Sequence, residues 1–440
     1  MGKIIQIVFL FMFTVTLHSQ SNFNWNSKKN TIKIPFELTH NLIIVDVDFN
    51  GVPLKMILDT GSDRSMLFSF PENDSLVLNQ TDKIEVRGVG NDQSITAYLS
   101  KNNILKINEF EDSNFEILLI PDQEITLINK IGLPINGILG STFFKQYVTK
   151  IDYDKKCITL FKNSRKQIDK AKRNMSKCKV EIDENKPYMS INTELEGKET
   201  TLKLLFDTGL GEGLWLFENN KIKCSNFYIN DVLGRGLSGD IEGKKARIKN
   251  VVLSNYEFEN VIVSYPDSVF FKKISIYSDR NGSLGGEVIK RFNWVLDYAN
   301  SDFYFEKNMA FDLPFNYNMS GIEVQHFGFQ WVKEGVNVNS AIGLLNLDEF
   351  YFERGGDKNK YKYELKPIFE IYSIRKDSPA DIAGLKVGDK IIKLNNKGIN
   401  QLSIQNITDV FQSEDGKLIT IIIERKDEQI TFKFNLKKIL

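Results

Sequence analysis

The chain has 440 residues, enough for two or three domains, and its 57 basic and 57 acidic side chains give a formal net charge of zero. This balance gives no sign of the basic surface typical of nucleic-acid binding, so we expect no nucleic-acid partner. The chain has only three histidines, at positions 18, 40 and 326, and none lies in a recognisable catalytic or metal-binding context. We therefore expect no metal and no cofactor, and we expect any hydrolytic chemistry to depend on carboxylates.

The N-terminus has the pattern of an export signal. Lys3 precedes an apolar stretch over residues 4–17, which at 14 residues is too short to span a bilayer comfortably. We predict a signal peptide over residues 1–20, cleaved near Ser19 or Gln20. The mature protein is then periplasmic, on the cell surface or secreted, with no membrane span. An uncleaved membrane anchor is the alternative.

A first unit is predicted over residues 32–161, where short, alternating, β-branched segments are typical of an all-β domain. Within it, residues 42–58 predict a β-hairpin around Asn50-Gly51, because glycine supplies the positive φ of the turn. The hairpin leads directly into the tripeptide Asp59-Thr60-Gly61.

Further along this unit, Gly88 and Gly90 mark a glycine-rich turn, and Gly234 and Gly236 mark a similar turn later in the chain.

A strongly basic segment at residues 162–177 follows the first unit. A solvated connector or surface helix is preferred over a site for an acidic partner. The three cysteines, Cys157, Cys178 and Cys224, fit neither a zinc site nor a disulfide framework. Both one disulfide bridge and three separate buried thiols remain open.

The second unit, over residues 178–307, repeats the first. Residues 188–206 predict another hairpin, which leads into Asp207-Thr208-Gly209, so the two aspartates are 148 residues apart. A glycine motif also recurs at a spacing of 145 residues, as Gly137-Ile138-Leu139-Gly140 and Gly282-Ser283-Leu284-Gly285. Anchors in one register indicate a duplicated domain. The alternative is two unrelated β segments with similar turns.

The duplication suggests the chemistry. Two carboxylates brought face to face cannot both ionise easily, so Asp59 and Asp207 can share a proton and act as acid and base on one water molecule.

The region at residues 315–440 differs from both units. Ser378 is predicted to cap a short helix that has Pro379 at its first position and ends at Gly384. A second helix is predicted to begin near Ser403, with apolar residues on one face.

These motifs resemble two known families. The paired Asp-Thr-Gly tripeptides with their glycine motifs resemble the aspartic peptidase family of pepsins and retropepsins. The Ser378-Pro379-Ala380 and Ala383-Gly384-Leu385 pattern, followed by Gly388-Asp389, resembles a PDZ domain of the bacterial type. Together they resemble exported bacterial aspartyl peptidases with a C-terminal PDZ domain. The resemblance implies an all-β, bilobal pepsin-like fold of two related β-barrel lobes, followed by a small α+β PDZ domain with an insertion at about residues 327–363.

The resemblance also implies residue roles. Asp59 and Asp207 become the catalytic pair. Gly88 and Gly90 become a mobile flap over the cleft, with Gly234 and Gly236 as its counterpart, and a plain surface hairpin is the alternative. No tyrosine stands at the flap turn, where pepsins place one, since Tyr98 lies some residues past it. The supporting residues of the catalytic loops become Thr60 and Thr208, which cross-link the loops, Gly61 and Gly209, which turn them, and Ser62, whose hydroxyl bonds the outer oxygen of Asp59. The position matching Ser62 is Leu210, which has no hydroxyl and makes the two aspartates unequal. The PDZ peptide groove is implied to begin at Ser320, Gly321 and Ile322.

The function implied is that of an aspartic endopeptidase that activates water with two aspartates, and the PDZ domain assists recognition of peptides or protein C-termini. Both loops lie in one chain, so a monomer is expected. The alternative is a peptide-binding or scaffolding protein that keeps the fold and cleaves nothing. Leu210 and the missing flap tyrosine favour this alternative, whereas two intact Asp-Thr-Gly loops favour catalysis.

Overall fold

A computed structural model of the chain describes residues 23–25, 27–69, 76–86, 95–121, 135–162, 164–236, 239–270, 279–336 and 360–440. These residues contain the following strands: β1 Phe23–Trp25, β2 Thr31–Pro35, β3 Glu37–Thr39, β4 Leu42–Phe49, β5 Val52–Leu58, β6 Met66–Leu67, β7 Thr81–Val86, β8 Ile95–Ile107, β9 Phe110–Leu119, β10 Gly137–Leu139, β11 Val148–Asp152, β12 Cys157–Phe161, β13 Ser176–Lys179, β14 Glu181–Asp183, β15 Lys186–Leu195, β16 Lys198–Phe206, β17 Leu214–Leu216, β18 Tyr228–Gly236, β19 Gly239–Leu253, β20 Tyr256–Pro266, β21 Gly282–Leu284, β22 Phe292–Asp297, β23 Asp302–Lys307, β24 Ile322–Val336, β25 Lys360–Ile374, β26 Lys390–Leu394, β27 Lys397–Gly398, β28 Leu418–Arg425 and β29 Glu428–Asn435.

Helices are few and short in the described part of the chain. The α-helices are α1 Arg165–Lys172, α2 Gly286–Ile289, α3 Pro379–Ala383 and α4 Ile404–Phe411. Single 3-10 turns lie at Ser141–Phe144, Ser268–Phe270, Tyr298–Asn300 and Ile399–Gln401. The architecture is therefore all-β in its first two units and α+β at the C-terminus.

The two repeats form two related lobes. In the first lobe, β4 and β5 make the predicted hairpin, and β5 runs parallel to β10 in a nine-stranded sheet. In the second lobe, β15 and β16 make the matching hairpin, and β16 runs parallel to β21 in an eight-stranded sheet. Both hairpin turns use a left-handed glycine, with φ of +87° at Gly51 and +78° at Gly197. The fold is therefore bilobal and pepsin-like.

A six-stranded sheet joins the lobes. Its strand order is β13-β23-β22-β11-β12-β2, so strands of both repeats hydrogen-bond side by side, with Ile151 of the first lobe opposite Trp294 of the second. One continuous hydrophobic core lies against this sheet, and its largest fully buried side chain is Trp294. Burial of apolar side chains from both lobes in one core is the main source of stability in such a fold, and it fixes the lobes relative to one another.

The predicted basic connector at residues 162–177 contains the surface helix α1, which has no buried residue. At its end, Lys172 pairs with the buried Asp297 of the second lobe at 2.7 Å, and the Lys172 ammonium lies 4.5 Å from the ring of Tyr304. The three cysteines are free thiols in the structure, so the predicted alternative of one disulfide bridge is not formed, and each thiol is half-buried rather than buried.

The C-terminal domain is built on a six-stranded sheet. Its strand order is β24-β25-β26-β28-β29, β27 pairs with β26 off this path, and α3 and α4 pack against the sheet. Ser378 caps α3 by accepting from Asp381 N–H at 3.3 Å, Gly384 ends the helix at φ +93°, and Ser403 caps α4. The predicted insertion at about residues 327–363 overlaps an extension of the β24–β25 hairpin, whose described pairing continues as far as Val336 and Lys360. Trp331 on this extension is 71% exposed.

The C-terminal domain packs on the second lobe. Ile229 of β18 belongs to the hydrophobic core of the C-terminal domain, and Ile262 of β20 packs against it. A first-lobe turn also reaches this domain, since His40 N–H donates to Gln405 Oε1 on α4 at 2.8 Å.

Candidate active site

Each Asp-Thr-Gly loop begins where a hairpin strand ends. Asp59 follows β5, and its N–H donates to Leu139 O of β10 at 2.9 Å. Asp207 follows β16, and its N–H donates to Leu284 O of β21 at the same distance. The parallel pairing of each hairpin strand with its glycine-motif strand therefore sets the depth of each aspartate.

Thr60 and Thr208 lock the two loops together at the centre of the interface. Thr60 Oγ1 donates to Phe206 O at 2.5 Å, and Thr208 Oγ1 donates to Leu58 O at 2.7 Å. Each hydroxyl oxygen also accepts the backbone N–H of the opposite threonine, at 3.0 and 3.1 Å. Both side chains are buried, at 0% and 1% exposure. The near-twofold set of four bonds leaves none of these polar groups unsatisfied.

Gly61 and Gly209 allow the carboxyl groups to meet. A Cβ atom on Gly61 would lie 2.6 Å from Asp207 Oδ1, and one on Gly209 would lie 2.3 Å from Asp59 Cγ. Each glycine thus lies against the opposite aspartate, where no side chain fits. The two carboxyl groups are within hydrogen-bonding reach of each other. This closeness is what sharing one proton and one water molecule requires.

The glycine motifs support the loops from beneath through equivalent close contacts. A Cβ on Gly140 would lie 2.5 Å from Arg64 O, and one on Gly285 would lie 2.2 Å from Glu212 O. Neither position can carry a side chain without moving a loop backbone, which gives these glycines their supporting role.

The expected role of the Ser62 hydroxyl is wrong. Its single hydrogen is donated to Arg64 O at 2.8 Å, because the turn brings that carbonyl beside it. The backbone N–H of Ser62 bonds the Asp59 carboxyl instead, and the backbone N–H of Leu210 does the same for Asp207. A leucine at position 210 therefore removes no hydrogen bond of this kind.

Both carboxyls gain protons more readily than exposed ones. Burial, followed by repulsion from Asp207, raises the pKa of Asp59. Burial also raises the pKa of Asp207, but the positive charge of Arg280 and two backbone N–H groups oppose the increase. The pair therefore keeps a proton at pH values where separate exposed aspartates have lost theirs.

The predicted flap glycines, Gly88 and Gly90, lie outside the described residues. The strands that flank them are β7 and β8, whose last described pair is Val86 with Ile95. In the second lobe, β18 and β19 form the matching hairpin, and Gly236 pairs with Gly239 near its tip.

The predicted PDZ groove residues form a compact turn between the second lobe and β24. The N–H groups of Ser320 and Gly321 both donate to Asn318 Oδ1, at 3.0 and 3.2 Å, and Ile322 N–H donates to Ser320 Oγ at 3.0 Å. These are the donors that a bound C-terminal carboxylate would need. Side chains of the turn itself already occupy them.

Within the described residues, no group of three or more His, Cys, Asp or Glu side chains is arranged to hold a metal ion. Over that same part of the chain, no helix is both long and apolar enough to cross a membrane.

Two family models match parts of the chain. Residues 45–143 match the family model described as aspartyl protease, and residues 370–425 match the model of the PDZ domain. Among solved structures, the chain is similar to an aspartic proteinase from Irpex lacteus, at 11% identity and a TM-score of 0.40, over 64% of this chain and 99% of that one. No curated protein matches the sequence. By its sheet topology and these two family models, the chain joins a bilobal, aspartyl-protease-like β fold to a PDZ domain.

Sequence reasoning missed Arg280, a charged neighbour of the aspartate pair. The register of the two repeats could have indicated it: at a spacing of 145 residues, Arg280 takes the position that the apolar Ile135 has in the first repeat.

Proposed function

We propose that the chain is an aspartic endopeptidase, in which Asp59 and Asp207 activate one water molecule for attack on a peptide carbonyl. The observation that carries this proposal is the meeting of the two carboxyls on loops cross-linked by Thr60 and Thr208. A scaffold that binds peptides has no need for two buried carboxyls in mutual contact, because such a pair destabilises the fold whenever both ionise.

The mechanism follows from one proton shared by two carboxyls. The ionised aspartate removes a proton from water as the water oxygen attacks the carbonyl carbon, and the protonated aspartate donates to the carbonyl oxygen. The tetrahedral diol then collapses: the carboxyl that took the proton from water gives it to the leaving nitrogen, the C–N bond breaks, and the other carboxyl takes a proton back from a hydroxyl of the diol.

The test is cleavage of a denatured protein mixture at several pH values between 3 and 8. Asp59→Asn and Asp207→Asn should each abolish cleavage, and a statine-type transition-state analogue should inhibit the unmodified protein. Asp63→Asn is the matched control, since Asp63 is an exposed aspartate of the same loop. Cleavage that persists in either dyad variant would remove the pair from the mechanism. Binding of the analogue without any cleavage would favour the scaffold.

We propose further that the PDZ domain assists substrate recognition by adding a peptide strand beside β24, which is at one end of its sheet path. Because the turn at Ser320 uses its own side chains as acceptors, this binding depends little on a free C-terminal carboxylate.

We also propose that the protein is exported and acts as a monomer. The support for export is the Lys3 flank and the apolar residues 4–17, and the support for a monomer is the presence of both catalytic loops in one chain. N-terminal sequencing of the protein from culture fractions tests the first statement, and light scattering of the purified chain tests the second. A cytoplasmic protein with residues 1–20 intact would contradict export.

A further inference from the structure

The two halves of the site correspond contact by contact just before their glycine motifs. Asn136 Oδ1 accepts from Lys55 N–H at 2.9 Å, and Asn281 Oδ1 accepts from Lys203 N–H at 2.8 Å. The N–H of each asparagine donates back to the carbonyl of the same lysine, at 2.8 Å in both lobes. This shared geometry fixes the register, so that Ile135 and Arg280 occupy equivalent positions.

The lobes differ in chemistry at the neighbouring positions on that side of each sheet. In the first lobe these residues are aliphatic: Ile44, Ile57, Ile135 and Ile138. The residues at the equivalent positions of the second lobe are mostly polar or aromatic: Tyr188, Leu205, Arg280 and Ser283. The site therefore has a cation on the Asp207 side, and its counterpart on the Asp59 side is an isoleucine at 0% exposure.

Arg280 is held in place by the strand that follows it, β21, and by the Phe217 ring. Its Nη2 donates to Ser283 Oγ at 2.6 Å, its Nε donates to Gly282 O at 3.0 Å, and its guanidinium lies 5.3 Å from the centroid of the Phe217 ring. Ser283 pairs with Leu205 on the neighbouring strand. Leu205 is two residues before Asp207, so the side chains of Leu205 and Asp207 point to the same side. The guanidinium is thereby fixed within electrostatic range of the Asp207 carboxyl.

We propose that Arg280 is a positioning residue that assigns the roles within the aspartate pair: Asp207 is the carboxylate that takes the proton from water, and Asp59 holds the proton that goes to the substrate carbonyl oxygen. This inference rests on the proposed endopeptidase function. As water attacks, one O–H bond breaks towards Asp207 while the Asp59 proton moves to the carbonyl oxygen. On collapse, Asp207 returns its proton to the leaving nitrogen, and Asp59 takes a proton back from the diol.

The other titratable groups near the pair do not oppose this assignment. Tyr298 interacts with Asp59, and Tyr188 interacts with Arg280, but burial raises the pKa of both phenols, so they stay uncharged. Asp279, next to Arg280 in sequence, is paired with Lys203 at 3.1 Å. Among the described residues, the main influences on Asp59 are burial, Asp207 and two backbone N–H groups, and no cation is among them.

The test uses full-length single-aspartate variants and needs no activity. In Asp59→Asn, only Asp207 of the pair titrates, and ¹³C carboxyl NMR reports its pKa. Adding Arg280→Gln should raise that pKa by roughly one unit or more, because an opposite charge nearby typically shifts a carboxyl by this amount. Arg280→Lys keeps the charge and should preserve most of the original value. In Asp207→Asn, the same Arg280→Gln change should move the pKa of Asp59 by less than half as much. Lys106→Gln removes an exposed cation on β8 and is the control for the change in net charge.

In the active protein, Arg280→Gln should move the acidic limb of the kcat/KM profile upwards by roughly one pH unit, and Arg280→Lys should restore it. Equal shifts at both aspartates, or no shift at Asp207, would overturn the assignment. A change confined to KM for an uncharged peptide would instead make Arg280 a substrate contact and would also overturn it. If no form of the protein cleaves peptides, the proposed function fails, and the NMR titrations still decide whether Arg280 acts on Asp207.

Discussion

We expect substitution of Asp231 to lower the free energy of unfolding more than most single substitutions outside the aspartate pair. Asp231 lies on β18 and its side chain is 6% exposed; its carboxyl accepts from Lys245 at 3.3 Å and from Arg375 of the PDZ domain at 3.2 Å. Burial alone would lower the pKa of Lys245, but Glu212 and Asp231 more than compensate, so that pKa is raised. The two cations are therefore stabilised only while their carboxylates are present.

Asp231→Asn removes the charge and keeps the shape. Removing one member of a buried ion pair typically costs about 3–5 kcal/mol. We expect about 3 kcal/mol, the lower end of that range, because Lys245 keeps Glu212 at 2.8 Å and Arg375 keeps Asn318 O at 3.1 Å.

Urea unfolding of the full chain, followed by tryptophan fluorescence, measures this cost. Glu199→Gln, on the exposed side of β16, is the matched control and should change the unfolding free energy by less than about 0.5 kcal/mol. Arg375→Met in the Asp231→Asn background completes a double-mutant cycle, and the two changes should be strongly non-additive. A loss below about 0.5 kcal/mol for Asp231→Asn, or simple additivity, would show that this cluster does not hold the PDZ domain on the second lobe.

Three further predictions concern the catalytic loops and the PDZ turn. Thr60→Val should cost about 2–4 kcal/mol, since it leaves two buried partners unsatisfied, and Thr60→Ser should recover most of it in thermal unfolding. The pKa of Asp59 is raised from an ordinary value of 3.8 to about 8, so this group's contribution to stability is full below about pH 4 and is lost as pH rises towards 8. Asp59→Asn should therefore be more stable than the unmodified protein at pH 8, by about 2 kcal/mol or more, and not at pH 4; calorimetry that finds equal pH dependence would contradict this. Peptides that bind the PDZ domain should do so equally well, within about twofold by titration calorimetry, whether they end in a carboxylate or an amide, because Asn318 and Ser320 already accept the turn's N–H groups.

Much of the fold could be predicted because the informative signals are local and repeated. The β4–β5 and β15–β16 hairpins follow from alternation and a turn glycine, and they have the predicted bounds to within a few residues. The six-stranded sheet between the lobes could not be predicted in this way. Its pairings, such as Ile151 with Trp294, join residues far apart in sequence, and alternation does not specify a strand's partner.

The site shows the same division. The Asp-Thr-Gly repeats were sufficient to place Asp59 and Asp207 together, because each is fixed by the strand that precedes it. The Ser62 hydroxyl was misassigned because its bond depends on where the turn aims Arg64 O, which is not encoded in the motif. Arg280 was missed because a motif highlights what two repeats share, whereas Arg280 matters by its difference from Ile135.

The second catalytic loop is held from three sides, and one of these leads to the PDZ domain. The first lobe contributes Thr60 and Asn41, whose side-chain amide donates to Gly211 O at 2.7 Å. The glycine motif contributes Gly285 N–H, directly after β21, which donates to Gly213 O at 2.9 Å. The PDZ domain acts through the chain of ion pairs that ends at Glu212, within the loop itself.

This arrangement predicts that the PDZ domain is needed for catalysis as well as for recognition. A chain ending at residue 314 would expose Ile229 and Ile262 and leave Asp231 without Arg375. Water would then reach Asp231 beside Lys245. The Lys245–Glu212 ion pair would weaken, since charge pairs lose strength as water enters. We expect kcat for a short peptide, too small to reach β24, to fall at least about tenfold in the truncated chain. The Arg375→Met full-length variant should show part of the same loss, although its PDZ domain is intact. Unchanged kcat in both would mean that the loop is positioned by the two lobes alone, and that the PDZ domain acts only in binding.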